Sequence, residues 1–127
     1  MELDLAPVTV LIAADPGLIR LIRLVASSCA SDLGYRFHEL EDIRIAVDEC
    51  ATCAIAMASP DASVRSSFFL SPPGLVVFIE VATTEPDGTV DLDPLADQIV
   101  GALSESFTLE VAHGRLRIEL RFPPPES

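Results

Sequence analysis

The chain has 127 residues, half of them hydrophobic, which is enough for one domain with a real core. Twenty acidic residues against eight basic ones give a net charge of −12 and an isoelectric point near 4.3. That balance disfavours DNA, RNA and anionic membrane as partners, because binding phosphate needs clustered cations. All eight basic residues are Arg, so a P-loop lysine, a Schiff-base lysine and a lysine general base are excluded.

The predicted elements run as follows. Glu2 to Ala13 reads as a strand, with Val8, Val10 and Ile12 alternating against Thr9 and Leu11. Asp15-Pro16 opens a helix, Asp15 as N-cap and Pro16 in the first turn, and Gly34 ends it. Its buried face is expected to be Leu18, Leu21, Ile22 and Val25. Tyr35 to Glu39 links it to a second helix from about Leu40 to Met57, broken by Ser59-Pro60-Asp61.

Strands Ser63 to Leu70 and Leu75 to Thr83 flank Ser71-Pro72-Pro73-Gly74, the strongest hairpin signal in the chain. A polar loop, Thr84 to Asp93, leads to a third helix, Pro94 to Ser104, expected to bury Leu95, Ile99, Val100 and Leu103. Phe107 to Val111 and Arg115 to Phe122 close the fold as a hairpin around His113-Gly114. The final Pro-Pro-Pro-Glu-Ser, residues 123–127, reads as an exposed, frayed tail. Hairpins dominate this order, so the expected architecture is an α/β sandwich: a mixed, mostly antiparallel sheet with helices on one face.

No signal for export is found. The first ten residues are acidic where a signal peptide is basic, and no apolar run approaches the ~20 residues that span a bilayer. An odd count of three cysteines suits a reducing compartment, so the expected location is cytoplasmic.

Leu40 to Ile55, LEDIRIAVDECATCAI, is the most informative run. Ile43, Val47, Cys50, Ala54 and Met57 recur at steps of three and four, the stripe of a helix packed on a sheet. Beside it Glu49 and Cys53 stand four apart and share a face. Asp42 to Glu49 resembles the nucleotide-site helix of GHKL-fold ATPases, in the short branch of serine-protein-kinase anti-sigma factors (RsbW-like). That branch reads D-L-R-L-A-V-x-E-x-x-x-N-A, and Cys53 stands where its asparagine belongs. Absent Lys with abundant Ala, Pro and Asp also matches a high-GC, actinobacterial-type composition.

The resemblance implies a GHKL sandwich over residues 1–127 and a Mg-ATP site of four pieces. Glu49 takes the general-base position and Cys53 that of the magnesium ligand. Thr83 falls where an adenine-reading aspartate of a D-x-G-x-G turn belongs, and Gly88 stands alone in place of its glycine pair. Between Gly88 and Gly101, where a glycine-rich lid would wrap phosphates, there is no glycine, and Asp91, Asp93 and Asp97 supply negative charge. A thiol is also a poor ligand for a hard cation. The ATP site is therefore expected to be degenerate, with no cofactor.

What the resemblance leaves is partner binding: sequestration of an RNA polymerase sigma factor by a homodimer, with an anti-anti-sigma (STAS-type) protein as a second partner. Arg20 and Arg23, three apart on the first helix, are the candidate contact residues, with Asp15 and Asp32 as neighbouring acids. Two alternatives stand beside this reading. One is an active serine kinase that uses ATP and Mg²⁺ on the anti-anti-sigma partner. The other is a regulator switched by Cys50 and Cys53, which spell C-x-x-C but sit mid-helix. There residues three apart hold Cβ atoms ~5–6 Å apart, whereas a disulfide needs ~3.5–4.5 Å. Cys29, His38 and His113 have neither zinc-finger spacing nor a nucleophile nearby, so no metal site is expected.

Overall fold

The computed structural model describes residues 7–71 and 74–126. The order is β1 (Val8–Ala13), α1 (Ile19–Asp32), α2 (Phe37–Ala56), β2 (Ser63–Ser71), β3 (Gly74–Ala82), β4 (Gly88–Thr89), α3 (Pro94–Leu103), β5 (Ser106–Ala112) and β6 (Arg115–Arg121). The beginning of the expected first strand, Glu2 to Ala6, lies outside the described residues, as does the Pro72-Pro73 tip of the first hairpin. Ser71 and Gly74 nevertheless pair across that hairpin, as its turn chemistry predicts.

The six strands form one sheet in the order β1-β2-β3-β6-β5-β4, and every neighbouring pair is antiparallel. The sandwich is thus the expected α+β one, and its antiparallel pairing is complete. Between β1 and β2 the chain passes through two helices, which bring it back to the end it left, so β2 must run against β1. Hairpin turns do the same for β2–β3 and β5–β6. At the second of these, His113 and Gly114 both have positive φ (53° and 76°), the two-residue geometry that matches sheet twist.

Alternation along β3 separates the two faces. Leu75, Val77, Ile79 and Val81 are fully buried beneath the helices with Phe68, Leu116, Ile118 and Leu120. Val76, Phe78 and Glu80 point the other way. Among the described residues no helix covers that face; Arg117 lies over the Phe78 ring at 4.3 Å, and Phe69 meets Phe78 edge-on at 5.5 Å.

The helices depart from expectation in register. Asp15 does cap the chain entry, accepting the Gly17 N–H at 2.9 Å, but Pro16–Leu18 forms a 3-10 turn. Winding three residues at the tighter pitch rotates the stripe. Ile19, Ile22, Ala26, Cys29 and Ala30 are buried, whereas Leu18, Leu21 and Val25 are half-buried and Leu24 is 63% exposed. Gly34, at φ 93°, ends the helix as expected. Helix α2 begins at Phe37, not Leu40, because the Glu39 carboxylate accepts the Arg36 backbone N–H at 2.8 Å, an N-terminal cap. In α3, Ala96 and Val100 are buried while Leu95 is 65% exposed. Leu92, just ahead of the Asp93 cap, fills the core instead.

The segment after β6 is tied down as far as Glu126. Phe122 is buried and its N–H donates to the Leu75 carbonyl at 3.1 Å. Buried Tyr35 donates its hydroxyl proton to the Pro123 carbonyl at 2.7 Å and accepts the Leu75 N–H at 3.0 Å. A Cβ on Gly74 would stand 2.6 Å from the Phe122 carbonyl oxygen, so only glycine allows this crossing. One hydroxyl therefore joins the start of α2, the start of β3 and the end of the chain. Tyr35→Phe keeps the packing and leaves the buried Leu75 N–H without its acceptor. The expected loss is about 1–3 kcal/mol, read as a lower urea midpoint at unchanged m-value.

Candidate functional site

The signature run places its residues on two different sides of α2. Cys50 faces the sheet with Ala46, Val47, Ala51 and Ala54, all at zero exposure. Glu49 and Cys53 flank that stripe and are half-buried. Burial pushes the Cys50 thiol up to about 12, with Cys53 and Glu49 adding to the effect. Burial also raises Cys53, and so does the Asp93 carboxylate, which places the N-cap of α3 beside it. The Cys53 thiol contacts the Met57 sulfur at 3.9 Å. A reactive thiol needs its pKa lowered by nearby positive charge; here both shifts run the other way, and all three cysteines are free.

At the end of β3, Thr83 is buried. Its N–H donates to the Gly114 carbonyl at 2.9 Å, and its hydroxyl oxygen accepts the Glu85 N–H at 3.2 Å. The polar segment that follows is strapped to the sheet edge. Gly88 and Thr89 pair with Val111 and Glu110 as β4, and the Val90 N–H donates to the Leu109 carbonyl at 3.1 Å. Asp87 accepts the His113 N–H at 3.1 Å, and Asp93 accepts the N–H groups of Leu95 and Ala96 at 3.1 Å each. Magnesium nucleotide needs hard oxygen ligands and closely approaching N–H donors. A neutral thiol, an aspartate already capping a helix and a lid segment held in strand pairing do not fit that requirement. Glu49 is the one piece of the expected set that keeps both its identity and access to solvent.

On the outer side of the helical layer the two candidate arginines part company. Arg23 is half-buried and ion-paired to Asp48 of α2, on a cleft of about 300 Å³ also lined by Glu41, Arg44, Ile45 and Glu49. Arg44 is ion-paired to Glu41. Arg20 is exposed, and among the described residues no carboxylate pairs with it. The shared exposed edge expected from their spacing is thus corrected: Arg23 turns inward because antiparallel α2 brings Asp48 opposite it. One turn on from Arg20, Leu24 shares its exposed face. Sequence reading missed Leu24 because the 3-10 turn rotated the helix, and took Asp48 only as part of a motif.

No family model matches the chain. It is 31% identical over 104 residues to the serine-protein kinase RsbW of Bacillus velezensis, and 30% identical over 104 residues to that of Bacillus subtilis. Each match covers 78% of this chain and 61% of the relative. The same-named protein of Bacillus pumilus is 45% identical over 47 residues, 37% of this chain and 29% of its own. The chain therefore spans about three fifths of the length of the first two relatives.

The thiol environments give a direct test. Cys50 is fully buried and its thiol is pushed up to about 12, so in the folded protein at pH 8 it is expected to stay unalkylated by iodoacetamide over hours. Cys53 should react more slowly than a free peptide thiol, and all three cysteines should react promptly in 8 M urea, where about 8.5 is their ordinary pKa. Peptide-mass mapping reads each site.

Proposed function

We infer, from a chain that is RsbW-like in sequence and fold, that the protein is an anti-sigma factor which sequesters an RNA polymerase sigma factor by direct binding. The observation that carries the reading is the contrast between the two halves of the expected family apparatus. Helix α1 presents Arg20 and Leu24 to solvent one turn apart, a cation that pairs with no carboxylate among the described residues beside an apolar side chain. The nucleotide pieces are replaced: Cys53 for asparagine, Thr83 for aspartate, and a strand-paired segment for the lid. Arg20 is the contact we assign; Arg23, held by Asp48, positions α1 against α2.

The protein acts without ATP or Mg²⁺, in the cytoplasm, as a homodimer, with a STAS-type anti-anti-sigma protein as a second partner. Among the described residues no helix is long and apolar enough to cross a membrane. In support of dimerisation, β1 is an edge strand whose Val8 and Leu11 are 43% and 60% exposed. A second reading, phosphorylation of the anti-anti-sigma partner, is favoured by Glu49 and by the relatives' name, serine-protein kinase. The buried Cys50 speaks against a thiol switch.

Calorimetric titration against the sigma factors of the source cell tests the main reading. Wild type is expected to bind one of them, and Arg20→Glu to weaken that binding at least tenfold, about 1.4 kcal/mol, with circular dichroism unchanged. Arg23→Glu sets two carboxylates face to face and should lower stability instead, by about 1 kcal/mol. Wild type that binds no sigma factor would remove the function. A fluorescent ATP analogue with Mg²⁺ should show no saturable binding; saturation that Glu49→Ala slows in turnover would establish the kinase.

A further inference from the structure

Where the chain end crosses the first turn of α2, three side chains of metal-binding type converge. The coordinating atoms of His38, Glu39 and Glu126 all lie within 4.8 Å of one another, and His38 Nε2 stands 3.1 Å from Glu126 Oε1. They sit on the rim of a cavity of about 220 Å³ that Tyr35 and Asp42 also line. Eighty-seven residues separate Glu39 from Glu126, and Tyr35 and the Glu39 cap create the juxtaposition.

We propose that His38, Glu39 and Glu126 form a binding site for a divalent transition-metal ion of the zinc type, which clasps the chain end onto α2. One imidazole nitrogen with two carboxylate oxygens is a donor set that suits zinc and not magnesium or calcium, which take oxygen alone. Neighbouring ligands around a tetrahedral zinc ion stand ~3.3 Å apart. The His38–Glu126 separation already meets that spacing. Glu39 has its carboxylate within 4.8 Å of both, close enough to complete the set with a small side-chain adjustment. Its carboxylate is oriented from outside the site, accepting the N–H groups of Arg36 and Glu126 at 2.8 and 3.2 Å, the kind of support that metal-ligating carboxylates have. His38 and Glu126 are about 60% exposed, so the ion has an entry path, and Asp42, one turn beyond His38, lines the same cavity. This site is independent of the nucleotide region and of the anti-sigma reading.

The protein carries its own reporter. Tyr35 is the single tyrosine, there is no tryptophan, and its ring lines the cavity. The experiment titrates zinc chloride into the metal-stripped full chain, following tyrosine emission and calorimetric heat. The expected result is one ion per chain with a dissociation constant of micromolar order, accompanied by a saturable emission change, while magnesium chloride gives neither. His38→Ala and Glu126→Gln change exposed side chains, and each should weaken zinc at least tenfold with the circular dichroism spectrum kept. Cys53→Ser should bind as wild type. Absence of saturable binding below millimolar zinc overturns the proposal. So does binding that survives His38→Ala with Glu126→Gln, or that Cys53→Ser abolishes.

Discussion

Helix α2 lies on the sheet through Ile43, Ala46, Val47, Cys50, Ala51 and Ala54, all buried and, Ile43 apart, none larger than valine. Small side chains let the helix axis come close, so that the larger residues of the strands, Leu75, Ile79, Leu116 and Ile118 among them, fill the space between. The rest of the molecule takes its position from this contact. Helix α1 packs antiparallel along α2, α3 against its other flank, and the chain end across its first turn. A thiol in this stripe is a packing residue first; its chemistry is suppressed by the same burial that makes the contact.

Because α2 is so closely seated, its two edges face different neighbours and do different work. One edge meets Asp93 and the strapped segment before α3, and there the Asp93 carboxylate caps α3. The other meets α1, where Asp48 holds Arg23 and leaves Arg20 outside. The edge of α2 that faces α1 thus fixes that helix through an ion pair, while Glu49 on α2 keeps access to solvent.

Much of this was legible in the chain itself. Period-two alternation in Leu116 to Phe122, the Pro-Pro-Gly turn and the stripe of α2 all act locally, and each appears where the residues place it. The RsbW likeness was also readable, from eight residues of α2. What escaped depended on contacts between distant segments or on a single cap. Glu39 at the third helical position moved the start of α2 back to Phe37. The tail looked frayed because three prolines and two polar residues carry no periodicity, yet Tyr35, eighty-eight residues earlier, supplies its anchor. Arg23 and Asp48 are unremarkable apart, and only antiparallel helix packing makes them a pair.

The uncovered face of the sheet has a consequence for how the molecule carries its charge. Arg65, Glu80, Arg117 and Glu110 stand opposite one another across four strands, with Glu119, Arg121 and Arg115 in the same layer. Among the described residues, four arginines share this face with three acids. Among the described residues the excess negative charge therefore lies off this face, in the helical layer and the loops, and the two sides of the sheet differ in charge. Two copies meeting helix to helix repel, whereas the sheet faces are close to neutral, so in dilute buffer encounters are oriented before any surface touches. Added salt erases that orientation within a Debye length of about 10 Å at 0.1 M.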